Sequence, residues 1–217
     1  VSLCVSCHKT DRPAFARQHV DYPVAKANCS SCHDPHGSDR GGILFANVHA
    51  PVANRQCSQC HEAATSADPF KTKRAGYELC RTCHSSMMNE ALNKNRIHWP
   101  LLDKTGCLNC HEPHASTQKK LLMTDTKSLC GTCHSDTMGM QAKLAEKEEQ
   151  EKAAAKGRTI KGDLTHKPIQ EGSCGACHSF HGSDSPFLMK EASTVNLCGT
   201  CHDWLKHTSH PMGPKVV

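Results

Sequence analysis

Residues 29–38 read CSSCHDPHGS. Cys29 and Cys32 stand three apart, His33 follows at once, and His36 comes three residues later. The stretch nearly recurs at 107–116 (CLNCHEPHAS) and 174–183 (CGACHSFHGS). One such stretch fits a zinc half-site, a redox dithiol or a haem anchor. The other cysteines decide between them.

All 16 cysteines fall into C-x-x-C pairs, and a histidine follows every pair. The pairs are Cys4 with Cys7, Cys29 with Cys32, Cys57 with Cys60, and Cys80 with Cys83. Further along come Cys107 with Cys110, Cys130 with Cys133, Cys174 with Cys177, and Cys198 with Cys201. Their histidines are His8, His33, His61, His84, His111, His134, His178 and His202. C-x-x-C-H is the signature of c-type haem attachment. Two thiols on one side of a short helical turn add to the two vinyl groups of one haem, and the adjacent imidazole becomes the proximal iron ligand. Disulfide frameworks and zinc ribbons do not require that histidine, and thioredoxin-like dithiols come singly in a βαβ setting absent here. The sequence therefore predicts eight covalently bound haems and no orphan thiol.

Nine histidines remain. His36, His114 and His181 trail a proximal histidine by three residues. Such a residue cannot reach the far face of its own haem, so it is expected to ligate a neighbouring one. Five more have proline close behind: His19 (Pro23), His49 (Pro51), His98 (Pro100), His166 (Pro168) and His210 (Pro211). Proline fixes the local path and favours an extended residue before it, which suits a ligand presented from a loop. The expected distal set is thus His19, His36, His49, His98, His114, His166, His181 and His210, with His207 spare. Met123 and Met189 are alternative axial ligands, but packing of Leu44-Phe45, Leu121-Leu122-Met123 and Phe187-Leu188-Met189 on haem faces is the preferred reading.

Composition agrees with a cofactor-built interior. Only 37% of the 217 residues are hydrophobic and 4% aromatic, with mean hydropathy −0.57. Side chains alone would make a thin core. No run approaches the roughly 20 apolar residues of a membrane helix. The mild, dispersed charge of +5 lacks the basic patches of a nucleic-acid surface. Haem propionates shift it further, to about −3 for eight ferric haems. No leader precedes Cys4, which reads as a processed chain or a piece of a longer one, with the signal peptide already removed.

The motifs repeat as doubled units. First cysteines at 57/80, 107/130 and 174/198 lie 23, 23 and 24 residues apart. Leu79, Leu129 and Leu197 precede the second members, and Leu3 precedes Cys4 in the same way. Such a period indicates an array. The expected division is a six-haem array over 1–135, a charged insertion over 136–162 and a two-haem unit over 163–217, all in one continuous row. The insertion, rich in Ala, Lys and Glu, predicts a solvated helix near 136–156. Elsewhere short helices and irregular loops should wrap the row of eight haems.

Doubled C-x-x-C-H units, the C-x-x-C-H-x-P-H-[GA]-S stretches (Phe180 replaces proline in the third) and the H-x-P elements resemble the multihaem c-type cytochromes of metal-reducing bacteria. The resemblance covers all but about 136–162. It implies a periplasmic haem wire of a porin–cytochrome conduit or an extracellular cytochrome that polymerises into nanowire filaments. Partners would be other redox proteins, copies of the chain or an outer-membrane porin; nucleic acid is not expected. Two histidines per iron leave no substrate position, so the expected role is electron carriage without catalysis. The alternative is an octahaem oxidoreductase of the nitrite, hydroxylamine or tetrathionate type with one open haem. Haem attachment takes place outside the cytoplasm, which predicts a periplasmic or extracellular location.

Overall fold

The computed structural model describes residues 2–135 and 166–203. The helix expected near 136–156 and the histidines at 207 and 210 lie outside the described residues. Within them the fold is irregular, with short helices and many 3-10 turns, as composition leads one to expect.

The two members of a doubled unit fold differently. First motifs begin on 3-10 turns: Cys29–Ser31, Cys57–Gln59, Gly106–Asn109 and Cys174–Ala176. Second motifs begin on α-helices: α1 (Ser2–Cys7), α4 (Tyr77–Leu92), α5 (residues 126–135) and α7 (Thr194–Gly199). In each second motif the hydroxyl ahead of the second cysteine donates to the leucine carbonyl three residues back. Ser6 bonds Leu3 at 2.6 Å, and Thr82, Thr132 and Thr200 bond Leu79, Leu129 and Leu197 at 2.7 Å. These bonds tighten the turn that carries both thiols. The remaining helices are α2 (Pro13–Gln18), α3 (Ala50–Ala53) and α6 (Lys167–Gln170).

After each first motif the chain returns to clamp its histidine. His33, His61, His111 and His178 form antiparallel bridges to Leu44, Thr72, Leu122 and Met189. Three of the returns turn on two successive left-handed residues: Gly42-Ile43, Lys120-Leu121 and Phe187-Leu188, with φ between 49° and 73°. A side chain in that region costs energy, and all three turns carry one: β-branched Ile43 in the first and both residues in the other two. A serine two residues past each trailing histidine closes the loop. Ser116 Oγ donates to Leu122 O at 2.5 Å and accepts from Gln118 N–H at 2.9 Å. Ser38 and Ser183 do the same toward Leu44 and Met189. Ser116 is buried, so Ser116→Ala leaves two polar groups unpaired. That variant should lose about 1–3 kcal/mol in chemical unfolding of the holo-protein, and Ser38→Ala less, because Ser38 is only half-buried.

Two short ladders join successive units. Strand β1 (Asn47–Val48) pairs antiparallel with β3 (Ala115–Ser116), and β2 (Arg96–Ile97) with β4 (Gly182–Ser183). Each ladder sets a proline-flanked histidine of one unit beside the trailing histidine of the next. Small residues are required there: a Cβ on Gly182 would lie 2.8 Å from Ala91 O.

Candidate haem centres

The described proline-flanked histidines fall into two structural types. His49, His98 and His166 are extended residues that start a one-turn helix, with proline in its first two positions. Proline therefore serves as a helix starter, where its missing N–H costs nothing. His19 instead ends α2, and its Nδ1 donates to Phe15 O at 2.9 Å in its own helix.

Six imidazole pairs result, each joining a motif histidine to one outside the motifs. Ring centres lie 6.3 Å apart for His19/His33, 6.1 Å for His49/His84 and 6.0 Å for His61/His114. They lie 6.2 Å apart for His98/His134, 6.3 Å for His111/His181 and 5.9 Å for His166/His202. Two imidazoles on opposite sides of one metal, with bonds of about 2 Å each, have ring centres about 6 Å apart. The trailing histidines His114 and His181 thus face the first motif of the preceding unit. The proline-flanked His49, His98 and His166 face the second motif of their own unit. Ala64 stands where the unit of Cys57 and Cys80 would carry a trailing histidine, and His33 meets His19 instead. Among the described residues, His8, His36 and His178 have no ring partner.

Backbone carbonyls fix the ring tautomers. The Nδ1 atoms of His33, His61, His111 and His178 donate to Gly42 O, Phe70 O, Lys120 O and Phe187 O at 2.7–2.9 Å. Those of His49 and His98 donate to Pro113 O and Phe180 O, both at 3.0 Å. A carbonyl can only accept, so each Nε2 is left with its lone pair free for a metal. Burial lowers the pKa of His98, His114 and His181, which favours the neutral, ligating form.

None of the sixteen cysteines is in a disulfide, so every one is available for haem attachment. The second thiol of each motif differs with its setting. At the ends of the 3-10 turns, Cys32, Cys60, Cys110 and Cys177 are half-buried. Cys7, Cys83 and Cys133 on their helices, and Cys201 just past α7, are exposed. The motif turn closes in both settings: Cys177 N–H donates to Cys174 O at 3.2 Å, and Cys201 N–H to Cys198 O at 3.1 Å. His178 and His202 then bond the same two carbonyls through their own N–H, at 3.0 and 2.9 Å.

Thiols of successive motifs approach one another in chain order. A hydrogen bond between Cys80 and Cys107 raises the first thiol and lowers the second. Burial and nearby Cys174 push Cys130 up to about 11. Cys57 adds to the burial that raises Cys32, as Cys83 does at Cys60 and Cys133 at Cys110. A thiol pair, a proximal imidazole with free Nε2 and an opposing imidazole at metal-bridging distance together fit a c-type haem. Met189 is the bridge partner of His178, and Met123 N–H donates to Cys110 O at 2.9 Å.

The comparison with known families agrees, matching the doubled CXXCH motif over residues 22–48, 49–89, 98–139 and 166–207. The chain belongs to the doubled CXXCH motif family. This doubled CXXCH protein is a multihaem c-type cytochrome, with haem c bound at its C-x-x-C-H motifs and electron transfer as its chemistry. No curated protein matches the chain. Among the described residues no helix is long and apolar enough to cross a membrane.

Sequence reasoning missed two sets of positioning residues in this doubled CXXCH chain. One is the loop-closing serines Ser38, Ser116 and Ser183. The other is the hydroxyls Ser6, Thr82, Thr132 and Thr200. Both had a signal, since each recurs at a fixed offset from a motif histidine or cysteine.

Proposed function

We propose that this cytochrome is an electron conduit of eight covalent haems, working in the periplasm or outside the cell without catalysis of its own. Bound haem supplies reversible one-electron chemistry. The polypeptide contributes order and closure. Its motifs hold the redox centres in chain order, because the thiols of successive motifs are neighbours from Cys32/Cys57 to Cys130/Cys174. Its outer histidines close the second axial position. The six imidazole pairs at 5.9–6.3 Å are the observation that most supports this reading. At those six pairs, two strong-field imidazoles per iron would exclude substrate and favour outer-sphere exchange with partner redox proteins, further copies or a conduit at an outer-membrane porin.

Intact mass of the holo-protein is expected to show eight haems, and a mass short of that would refute the count. Electron paramagnetic resonance of the ferric protein should show low-spin bis-imidazole iron for the six pairs. High-spin signals from any of those six would reopen the oxidoreductase alternative.

A further inference from the structure

After each first motif the returning chain is tied to it at one fixed place. Phe45, Lys73, Met123 and Lys190 each lie 12 residues past a motif histidine. Their backbone N–H groups donate to Cys32 O, Cys60 O, Cys110 O and Cys177 O at 2.9–3.0 Å. The backbone arrangement is the same in all four, and the side chain is not. Phe45 and Met123 are apolar. Lys73 and Lys190 turn back over the motif, and each Nζ donates to the carbonyl of the residue after the first cysteine, Ser58 in one unit and Gly175 in the other. Two ammonium groups are thus held against the turns that carry the paired thiols.

A hydrogen bond to a carbonyl leaves the ammonium charge in place. Among the described residues the ion pairs are Arg81 with Glu78, Lys94 with Asp184 and Lys167 with Glu171, so no carboxylate there neutralises Lys73 or Lys190. The charge also reaches an attachment sulfur. Burial raises the Cys60 thiol and nearby Cys83 raises it further, while Lys73 pulls it back down. That sulfur becomes a thioether of the haem, so a field that acts on it acts on the macrocycle it holds. Both lysines are exposed, which leaves this field open to screening by salt.

We propose that Lys73 and Lys190 raise the reduction potentials of the haems bound at Cys57/Cys60 and Cys174/Cys177. This deepens the electron-conduit reading above and rests on it. Reduction moves one electron from a partner redox protein onto ferric iron, which becomes ferrous, and no bond forms or breaks. The site loses one positive charge in that step, so a cation fixed beside it disfavours the ferric state and favours the ferrous one. Each lysine therefore acts through its charge and ligates nothing. Phe45 and Met123 supply no charge at the matching position. Every other first motif from Cys29 to Cys174 thus carries the added cation, and electrons passing along the row meet a raised site in alternate units.

Spectroelectrochemical titration of the holo-protein at low and high salt tests this. In Lys73→Met one haem's share of the optical amplitude should move to lower potential, by about tenfold in its reduction equilibrium, or about 59 mV for one electron. Lys190→Met should do the same to a second haem. Lys73→Arg keeps the charge and should keep the wild-type midpoint. Met123→Lys adds a charge at the matching position and should move one haem upward. Each shift should shrink at about 1 M salt, where the Debye length is about 3 Å. Electron paramagnetic resonance on the same samples should stay as in wild type, because no axial ligand is removed. Wild-type midpoints in Lys73→Met would overturn the lysine assignment alone. So would a shift that salt leaves unchanged and that Lys73→Arg shares. Ferric haems that take up no electrons reversibly would overturn the conduit reading and the assignment with it.

Discussion

Produced without haem attachment, the chain is expected to stay unfolded: a coil-like far-ultraviolet spectrum, no cooperative thermal transition and poorly dispersed amide resonances. The expectation follows from how little apolar surface the polypeptide buries by itself. Among the described residues the buried hydrophobic side chains are Tyr22, Met88, Ala91, Ala115 and Leu197, and of these only Met88 is wholly enclosed. A fully buried aliphatic side chain stabilises by about 1.5–3 kcal/mol. Fixing the backbone costs about 1–2 kcal/mol for every residue ordered. Five such residues, two of them alanines, cannot offset the ordering of a chain this long. Two-residue ladders and one-turn helices add little cooperativity. The covalent haems must therefore supply the interior, as structural metals do in small metal-dependent domains. A sharp melting transition in the haem-free chain would contradict this.

The sequence carried the chemistry further than the architecture. The attachment motifs within the matched residues were legible, because thiols three apart with an adjacent imidazole answer one cofactor's geometry. What was not legible is that the second thiol would be half-buried in one kind of motif, as at Cys177, and exposed in the other, as at Cys201. That difference follows from the turn or helix each motif adopts. The trailing position of His114 and His181 was legible because three residues cannot carry a ring around its own haem. Which motif each would meet was not. That depends on ladders of two residues, 47–48 with 115–116 and 96–97 with 182–183, too short to leave a periodic pattern. The grouping of His19 with the other proline-flanked histidines was too coarse. Pro51, Pro100 and Pro168 each lie two residues past their histidine and start a helix, whereas Pro23 lies four past His19, which ends one. Left-handed turns at Lys120-Leu121 and Phe187-Leu188 could not be read from residue type. Their glycine-bearing counterpart at Gly42-Ile43 gives the only local hint.

His49→Ala should do more damage than His114→Ala, although each removes one imidazole. In His114→Ala the backbone joint survives, since His114 contributes its carbonyl, not its ring, to the bond from His49 N–H. The β1–β3 ladder is likewise unaffected. One iron, that of His61, should change from low to high spin, and added imidazole should restore it, because the space left matches the lost ring. In His49→Ala the ring opposite His84 is lost, and with it the Nδ1 donation that holds Pro113 O at 3.0 Å. Pro113 immediately precedes His114, so the segment presenting the His61 ligand loosens as well. That bond is exposed, so its loss costs about 0.5–1.5 kcal/mol. Positioning partners of this kind typically change metal affinity by about 10–100-fold. Magnetic resonance should therefore show full conversion of the His84 iron and partial conversion of the His61 iron, and imidazole should rescue the first more completely than the second. The double variant should be less than additive at the His61 iron, since both changes act on one ligand. Conversion confined to a single iron in His49→Ala would show that the joint does not couple neighbouring units.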